Sequence, residues 1–137
     1  IQEGVVWESA LFAAHHRLDN FVMIIDRNGL QSDAHTEELL SIEPITDKFG
    51  SFGWACRSVD GHDLDALVEV LRAVPFGKDR PSLVIANTVK GKGVDFMENA
   101  VPYHNNGPLP GTEEARRAFR QLEARWEELS RGAGGES

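Results

Sequence analysis

Apolar residues along the chain follow two rhythms, short unbroken runs and helical spacing, and the two alternate. Residues 21–26 (FVMIID) are nearly continuous apolar, as in a parallel strand buried on both faces, and run into the polar turn Asp26-Arg27-Asn28-Gly29. Pro44 suits the first turn of a helix in which Ile45, Phe49 and Phe52 share a face, with Gly53 as a left-handed stop. Residues 54–59 read as a second, shorter strand. Asp63 is the expected N-cap of a helix to about residue 74, with Leu64, Leu67, Val68 and Leu71 on one face and Pro75 preventing its continuation. Residues 82–89 (SLVIANTV) form the third strand. After a stretch rich in Gly and Pro, Thr112 opens a long helix carrying Ala115, Phe119, Leu122, Trp126 and Leu129 at heptad-like spacing.

The first helix spans about residues 5–17, and residues 1–4 have no strand before them. A helix in a βα unit receives its chain from a strand, so the expectation is the later part of a larger domain, over residues 1–130, with a small polar tail at 131–137. Strand, helix, strand, helix, strand predicts an α/β fold: an open parallel sheet with helices on both faces, incomplete at the N-terminus.

Ligands of such sheets sit outside the carboxyl ends of the strands, which singles out the loops after the first and third strands. In the first, the amide oxygen of Asn28 is a hard ligand, and the Gly29 turn lets a carbonyl such as that of Leu30 approach the same ion, a donor set suited to Mg²⁺. Asn-Gly is equally a common hairpin turn, although a long loop and a helix come after it here rather than a partner strand. In the second loop, Lys90-Gly91-Lys92-Gly93 offers close-approaching amides and positive charge to an anion, or else is an exposed turn with surface lysines. It is neither a Walker A loop nor a GxGxxG fingerprint.

Composition narrows the classes. The 137 residues are 41% hydrophobic and lack an apolar run of membrane-spanning length. Twenty-two acidic against 14 basic residues give a net charge of -8, which repels nucleic acid and makes two clustered lysines conspicuous. The single cysteine, Cys56, is read as core filling, and the lack of a signal-peptide pattern gives a cytoplasmic expectation. His15 and His16 suit the dipole at a helix end, and His62 a helix cap. His104 lies in a long loop after the third strand, where it is either a proton-transfer group or an ordinary loop residue.

The strings Gln2-Glu3-Gly4, Trp7-Glu8, Phe12-Ala13-Ala14-His15-His16, Leu18-Asp19-Asn20, Asp26-Arg27-Asn28-Gly29-Leu30-Gln31, Phe52-Gly53-Trp54, Val59-Asp60-Gly61-His62 and Thr88-Val89-Lys90-Gly91-Lys92-Gly93-Val94 resemble the thiamine-diphosphate domain of transketolase, over residues 1 to about 108. The resemblance is strongest to the N-terminal polypeptide of transketolases split into two subunits. It implies thiamine diphosphate with Mg²⁺, for which Ca²⁺ can substitute, and transfer of a two-carbon ketol unit from a ketose (phosphate) donor to an aldose acceptor. Asn28 corresponds to a side-chain metal ligand, Leu30 to a carbonyl ligand, Lys90 to a cofactor-contacting lysine, and His104 to a histidine beside the diphosphate and the reacting substrate. Glu3 corresponds to an acidic residue linking paired cofactor sites across a dimer interface.

The family's Gly-Asp-Gly segment, with the third metal ligand, would lie just upstream of Ile1. A partner polypeptide carrying the pyrimidine-binding domain would supply the glutamate that activates the cofactor. Dimeric or heterotetrameric assembly is thereby implied. Relatives commonly read Trp-His-Gly where this chain has Tyr103-His104-Asn105, a departure that bears on loop conformation and sugar selectivity. Two alternatives stay open on the residues alone: a noncatalytic assembly or regulatory subunit of the same fold, and a relative that decarboxylates a 2-oxo acid with the same cofactor.

Overall fold

Six-residue segments become the strands of one parallel sheet in a computed structural model that describes residues 1–133. In chain order the elements are α1 (Gly4–His15), β1 (Val22–Arg27), α2 (Thr36–Leu39), α3 (Ile45–Phe52), β2 (Ala55–Asp60), α4 (Leu64–Arg72), β3 (Ser82–Asn87), a 3-10 turn at Val101–Tyr103, and α5 (Glu113–Ala133). The strand order β1-β3-β2 makes β3 central, and its burial shows why an apolar run was needed there: Ser82 to Ala86 are all buried. The one polar member, Ser82, accepts a hydrogen bond from the Phe76 N–H at 3.0 Å, so its hydroxyl is satisfied inside the core.

Register fixes two sheet faces. Met23 pairs with Leu83 and Ile25 with Ile85, and this face packs with Ala10 and Ala13 of α1 and Ile45 and Phe49 of α3. Trp54 joins them, stacking edge-on against Phe49 at 5.5 Å and donating from its indole to the Ala10 carbonyl at 2.9 Å. The opposite face presents Val84 and Ala86, also buried, while α4 packs against β2. Gly53 stops α3 at φ 107°, and Asp63 caps α4 by accepting from the Ala66 N–H.

Several sequence expectations change. β1 is not buried on both faces, since Ile24 is 56% exposed; β1 lies at a sheet edge and β3 takes the doubly covered position. The third strand ends at Asn87 rather than residue 89. On α4, Val70 is buried and Leu67 half-buried, whereas Leu64, Val68 and Leu71 are exposed. His62 gives its backbone N–H to Asp60, and Asp63 caps α4. Cys56 packs at the core margin, where burial pushes its thiol pKa up, the behaviour of a filler rather than a nucleophile.

The chain divides into two compact units. The first comprises residues 1–29 and 36–88, including the sheet and α1 to α4; the second comprises residues 30–35 and the chain from 89 onward. In the second, Thr112 accepts from the Ala115 N–H at 3.2 Å to start α5. Ala115 and Ala118 are buried, but the rest of the apolar stripe is exposed, Trp126 to 72%. Residues 131–133 of the expected tail continue α5, and 134–137 lie outside the described residues. No helix among the described residues is long and apolar enough to cross a membrane.

Candidate active site

β1 and β3 are parallel neighbours in flush register, Arg27 opposite Asn87, so the chain leaves both at one edge of the sheet. Asn28 is the first residue beyond β1. Its Nδ2 donates to Asp26 Oδ2 at 3.2 Å, while the Thr88 hydroxyl donates to the other oxygen of Asp26. With its nitrogen donating to Asp26, the amide keeps its oxygen as an acceptor, the atom type that a cation ligand requires. Thr88 is itself held in line by its N–H on the Arg27 carbonyl at 3.2 Å. Two strand exits thereby fix one amide.

Arg27 secures the chain beyond this point. Its guanidinium donates to Glu43 at 2.7 Å, Thr36 at 2.8 Å and Glu37 at 3.0 Å, so one planar fork ties the end of β1 to α2 and to the approach to α3. Burial opposes ionisation of Glu43, but hydrogen bonds from Arg27 and the Ile45 N–H outweigh it and hold the carboxyl below its ordinary pKa. The hydrogen bond from Ser41 leads the causes that lower the pKa of Glu37. Gly29, at φ 78°, turns the chain without side-chain strain, and its carbonyl accepts from the Thr36 N–H at 2.9 Å. No hairpin forms at Asn28-Gly29. A single antiparallel bridge forms one step later, between Leu30 and His35.

Glu3 occupies the N-cap position of α1 with no side-chain cap bond, and its carboxylate is exposed. Residues 16–21 connect α1 to β1. Asn28 and Glu3 belong to the first unit. Leu30, Lys90 and His104 belong to the second.

In the second unit, the Lys90 loop is tightly folded. The N–H groups of Lys92, Gly93 and Val94 go to the Val89 carbonyl, the Glu98 carboxylate and the Gly91 carbonyl, so these three amides are engaged inside the loop. The loop's offer to an anion is therefore charge rather than a glycine-amide cradle. Lys92 sits 3.6 Å from Glu98, whereas the Lys90 ammonium makes no ion pair among the described residues. Its backbone is pinned by Asn99, in left-handed conformation at φ 54°, whose N–H reaches the Lys90 carbonyl at 2.9 Å. At Gly91, φ 79°, a Cβ would lie 2.4 Å from the Met97 carbonyl oxygen, so only glycine fits.

His104 comes directly after the 3-10 turn and donates its N–H to the Val101 carbonyl. Tyr103 braces that turn by stacking edge-on against Phe96 at 5.6 Å and bonding to Glu114, which raises the Tyr103 pKa. The imidazole Nδ1 of His104 is buried without a hydrogen-bond partner, a state that costs about 1–3 kcal/mol unless a ligand completes it. Asn105 is not among the positive-φ residues, so its backbone does not demand glycine, and its side chain is exposed.

Residues 1–125 match the family model of the transketolase thiamine diphosphate binding domain. The chain belongs to this transketolase family. It is 40% identical over 103 residues to the 6-deoxy-6-sulfo-D-fructose transketolase subunit of Clostridium sp. (strain MSTE9), covering 75% of this chain and 38% of that one. It is 35% identical over 129 residues to an apulose-4-phosphate transketolase subunit of Phocaeicola vulgatus, covering 94% and 45%. The chain thus spans less than half the length of these curated relatives. Among solved structures, the transketolase of Pichia stipitis complexed with sedoheptulose 7-phosphate superposes with TM-score 0.79 at 26% identity, over 92% of this chain and 18% of that one.

Within this transketolase frame, Asp26, Arg27 and Thr88 are the residues that sequence reasoning did not select. The only signal was position: two charged residues closing an apolar strand, directly before the candidate metal ligand.

Proposed function

We propose that the chain forms part of a thiamine-diphosphate-dependent transketolase subunit, which moves a two-carbon ketol unit from a ketose (phosphate) to an aldose. Asn28 Oδ1 and the Leu30 carbonyl would hold Mg²⁺, or Ca²⁺ in its place, with Lys90 neutralising diphosphate charge. The cofactor, when bound, supplies the carbon nucleophile and electron sink that ketol transfer needs. His104 holds and moves protons at substrate oxygens, and Glu3 links paired sites across a dimer interface. The remaining parts come from elsewhere: a Gly-Asp-Gly segment with the third metal ligand, and a partner polypeptide with the pyrimidine-binding domain, assembled as a dimer or heterotetramer in the cytoplasm. The transketolase-subunit relatives support sugar transfer over a decarboxylating or noncatalytic role.

The observation that carries this reading is the Asp26-anchored amide of Asn28 at the carboxyl edge of the sheet, whose oxygen stays an acceptor, the atom type a cation holding a diphosphate requires. It also decides the experiment. In the protein assembled with its partner, Asn28→Ala leaves the fold intact by circular dichroism and weakens thiamine diphosphate binding at least ~10-fold by calorimetry, since it removes one oxygen from the metal. His104→Ala lowers turnover by roughly 10²-fold with a smaller effect on cofactor affinity. Unchanged affinity in a folded Asn28→Ala protein would return Asn28 to the status of a turn residue.

A further inference from the structure

We propose that Gln31 is a further positioning residue of this site, its side-chain amide donating to a phosphate oxygen of the bound ligand. The inference rests on the transketolase reading above, and it begins from an anomaly. Among the described residues, three buried side-chain polar atoms have no hydrogen-bond partner: Gln2 Nε2, Gln31 Nε2 and His104 Nδ1. Two of the three fall in the second compact unit, one on the residue after Leu30 and the other on His104 itself. Both are shielded from bulk solvent.

The backbone of Gln31 is fixed. Its N–H donates to the Ala34 carbonyl at 2.9 Å, the Leu30–His35 bridge closes the loop behind it, and Thr36 bonds back to Gly29 at 2.9 Å. The backbone that carries the unmet donor is thereby held in place. Such preorganisation at a cost to the empty protein is the usual mark of a ligand contact.

The chemistry of the acceptor follows from the donor and from the charge carried by the second unit. An amide nitrogen only donates, which excludes a cation or another donor as its partner. The Lys90 ammonium, in the same unit, makes no ion pair among the described residues although the chain carries a net charge of -8. An amide donor in a unit that also carries an unpaired lysine suits an anionic oxygen, and a phosphate provides several. That phosphate belongs to thiamine diphosphate or to a phosphorylated sugar.

Gln31→Met, which keeps length and removes the donor, and Gln31→Glu, which places an anion there, separate the possibilities in the protein assembled with its partner. The readouts are ligand-free melting temperature, calorimetric affinity for thiamine diphosphate with Mg²⁺, and KM for a sugar phosphate and its dephosphorylated counterpart. Gln31→Met is expected to leave the ligand-free melting temperature unchanged or raise it, while weakening one phosphate ligand about 10-fold, with Gln31→Glu weakening it further. A loss in cofactor affinity identifies the diphosphate; a rise in KM confined to the phosphorylated sugar identifies the substrate. If Gln31→Met lowers the melting temperature and neither constant moves, the amide serves another stretch of polypeptide and the inference is overturned. If Asn28→Ala weakens the cofactor and both Gln31 variants bind every ligand as wild type does, the inference falls alone. Failure of the wild-type assembly to bind thiamine diphosphate removes the transketolase reading and this inference together.

Discussion

The two compact units use the same twenty letters to opposite ends. In the first, Phe49, Trp54, Leu83 and Val84 are almost wholly buried, the Ser82 hydroxyl and the Trp54 indole N–H among them are paired, and the strands share one register. In the second, the conformation is held by glycines, an asparagine at positive φ and ion pairs, while Phe119 and Trp126 stay exposed and two buried side-chain nitrogens lack partners. In the first unit the central strand is covered on both faces and the polar groups buried beside it are paired. The second unit carries groups whose satisfaction requires something else, which is where proteins keep ligand contacts.

The largest test of that contrast is a pair of tryptophans. Trp54→Ala empties a buried site and strips a donor from the Ala10 carbonyl, so it should destabilise by about 3–5 kcal/mol in urea denaturation. Trp126→Ala, at a position 72% exposed, should shift stability by no more than about 0.5 kcal/mol. Comparable losses from both would mean that α5 is packed as firmly as the sheet.

A smaller effect is expected at Gly91. Alanine there brings a Cβ within 2.4 Å of the Met97 carbonyl oxygen and strains a backbone at φ 79°, a cost of about 1–3 kcal/mol borne by the second unit. Hydrogen exchange should show faster opening around residues 89–99, with the sheet strands protected as before. Faster exchange in β1 and β3 would show that the two units unfold as one.

The smallest lies at the Arg27 cluster and is read through pH. Glu43 has a lowered folded-state pKa, so its contribution is present above the ordinary carboxylate value of 4.5 and is lost as pH falls through the folded value. Wild-type stability should therefore decline more steeply below that value than stability of Glu43→Gln, with the two curves parallel at neutral pH. Its half-exposed side chain keeps the difference modest. Identical acid slopes would mean that the clamp on the end of β1 is held by Glu37 and Thr36 alone.

What could be read in the sequence obeys the same division. The apolar runs at residues 21–26 and 82–87, the Gly53 stop and the Asp63 cap announce themselves because local propensity and burial agree there. The exposure of Ile24 was not legible, because edge and centre are assigned by strand order, which a run of apolar letters does not encode. Nor was the outward face of α4, since Leu64, Val68 and Leu71 share a helical stripe whether or not anything covers it. Asn28 and His104 stood out by residue type and position. Asp26 and Thr88 did not, because they meet only after two strands 62 residues apart are laid side by side.

The shared register of the sheet has one more consequence, for insertions and deletions. Val22 and Ala55 both lie opposite Ser82, and Arg27 and Asp60 both lie opposite Asn87, so three strands begin and end on the same rungs. Adding one residue inside β1 would advance Asn28 by roughly 3.3 Å, more than a whole Mg²⁺–oxygen bond of about 2.1 Å, and would turn Met23 and Ile25 to the wrong face. The same insertion in the connection at residues 73–81, at the opposite end of the sheet, leaves every rung aligned. Length variation in descendants of this sequence should therefore accumulate at the amino ends of the strands, leaving their carboxyl ends of constant length.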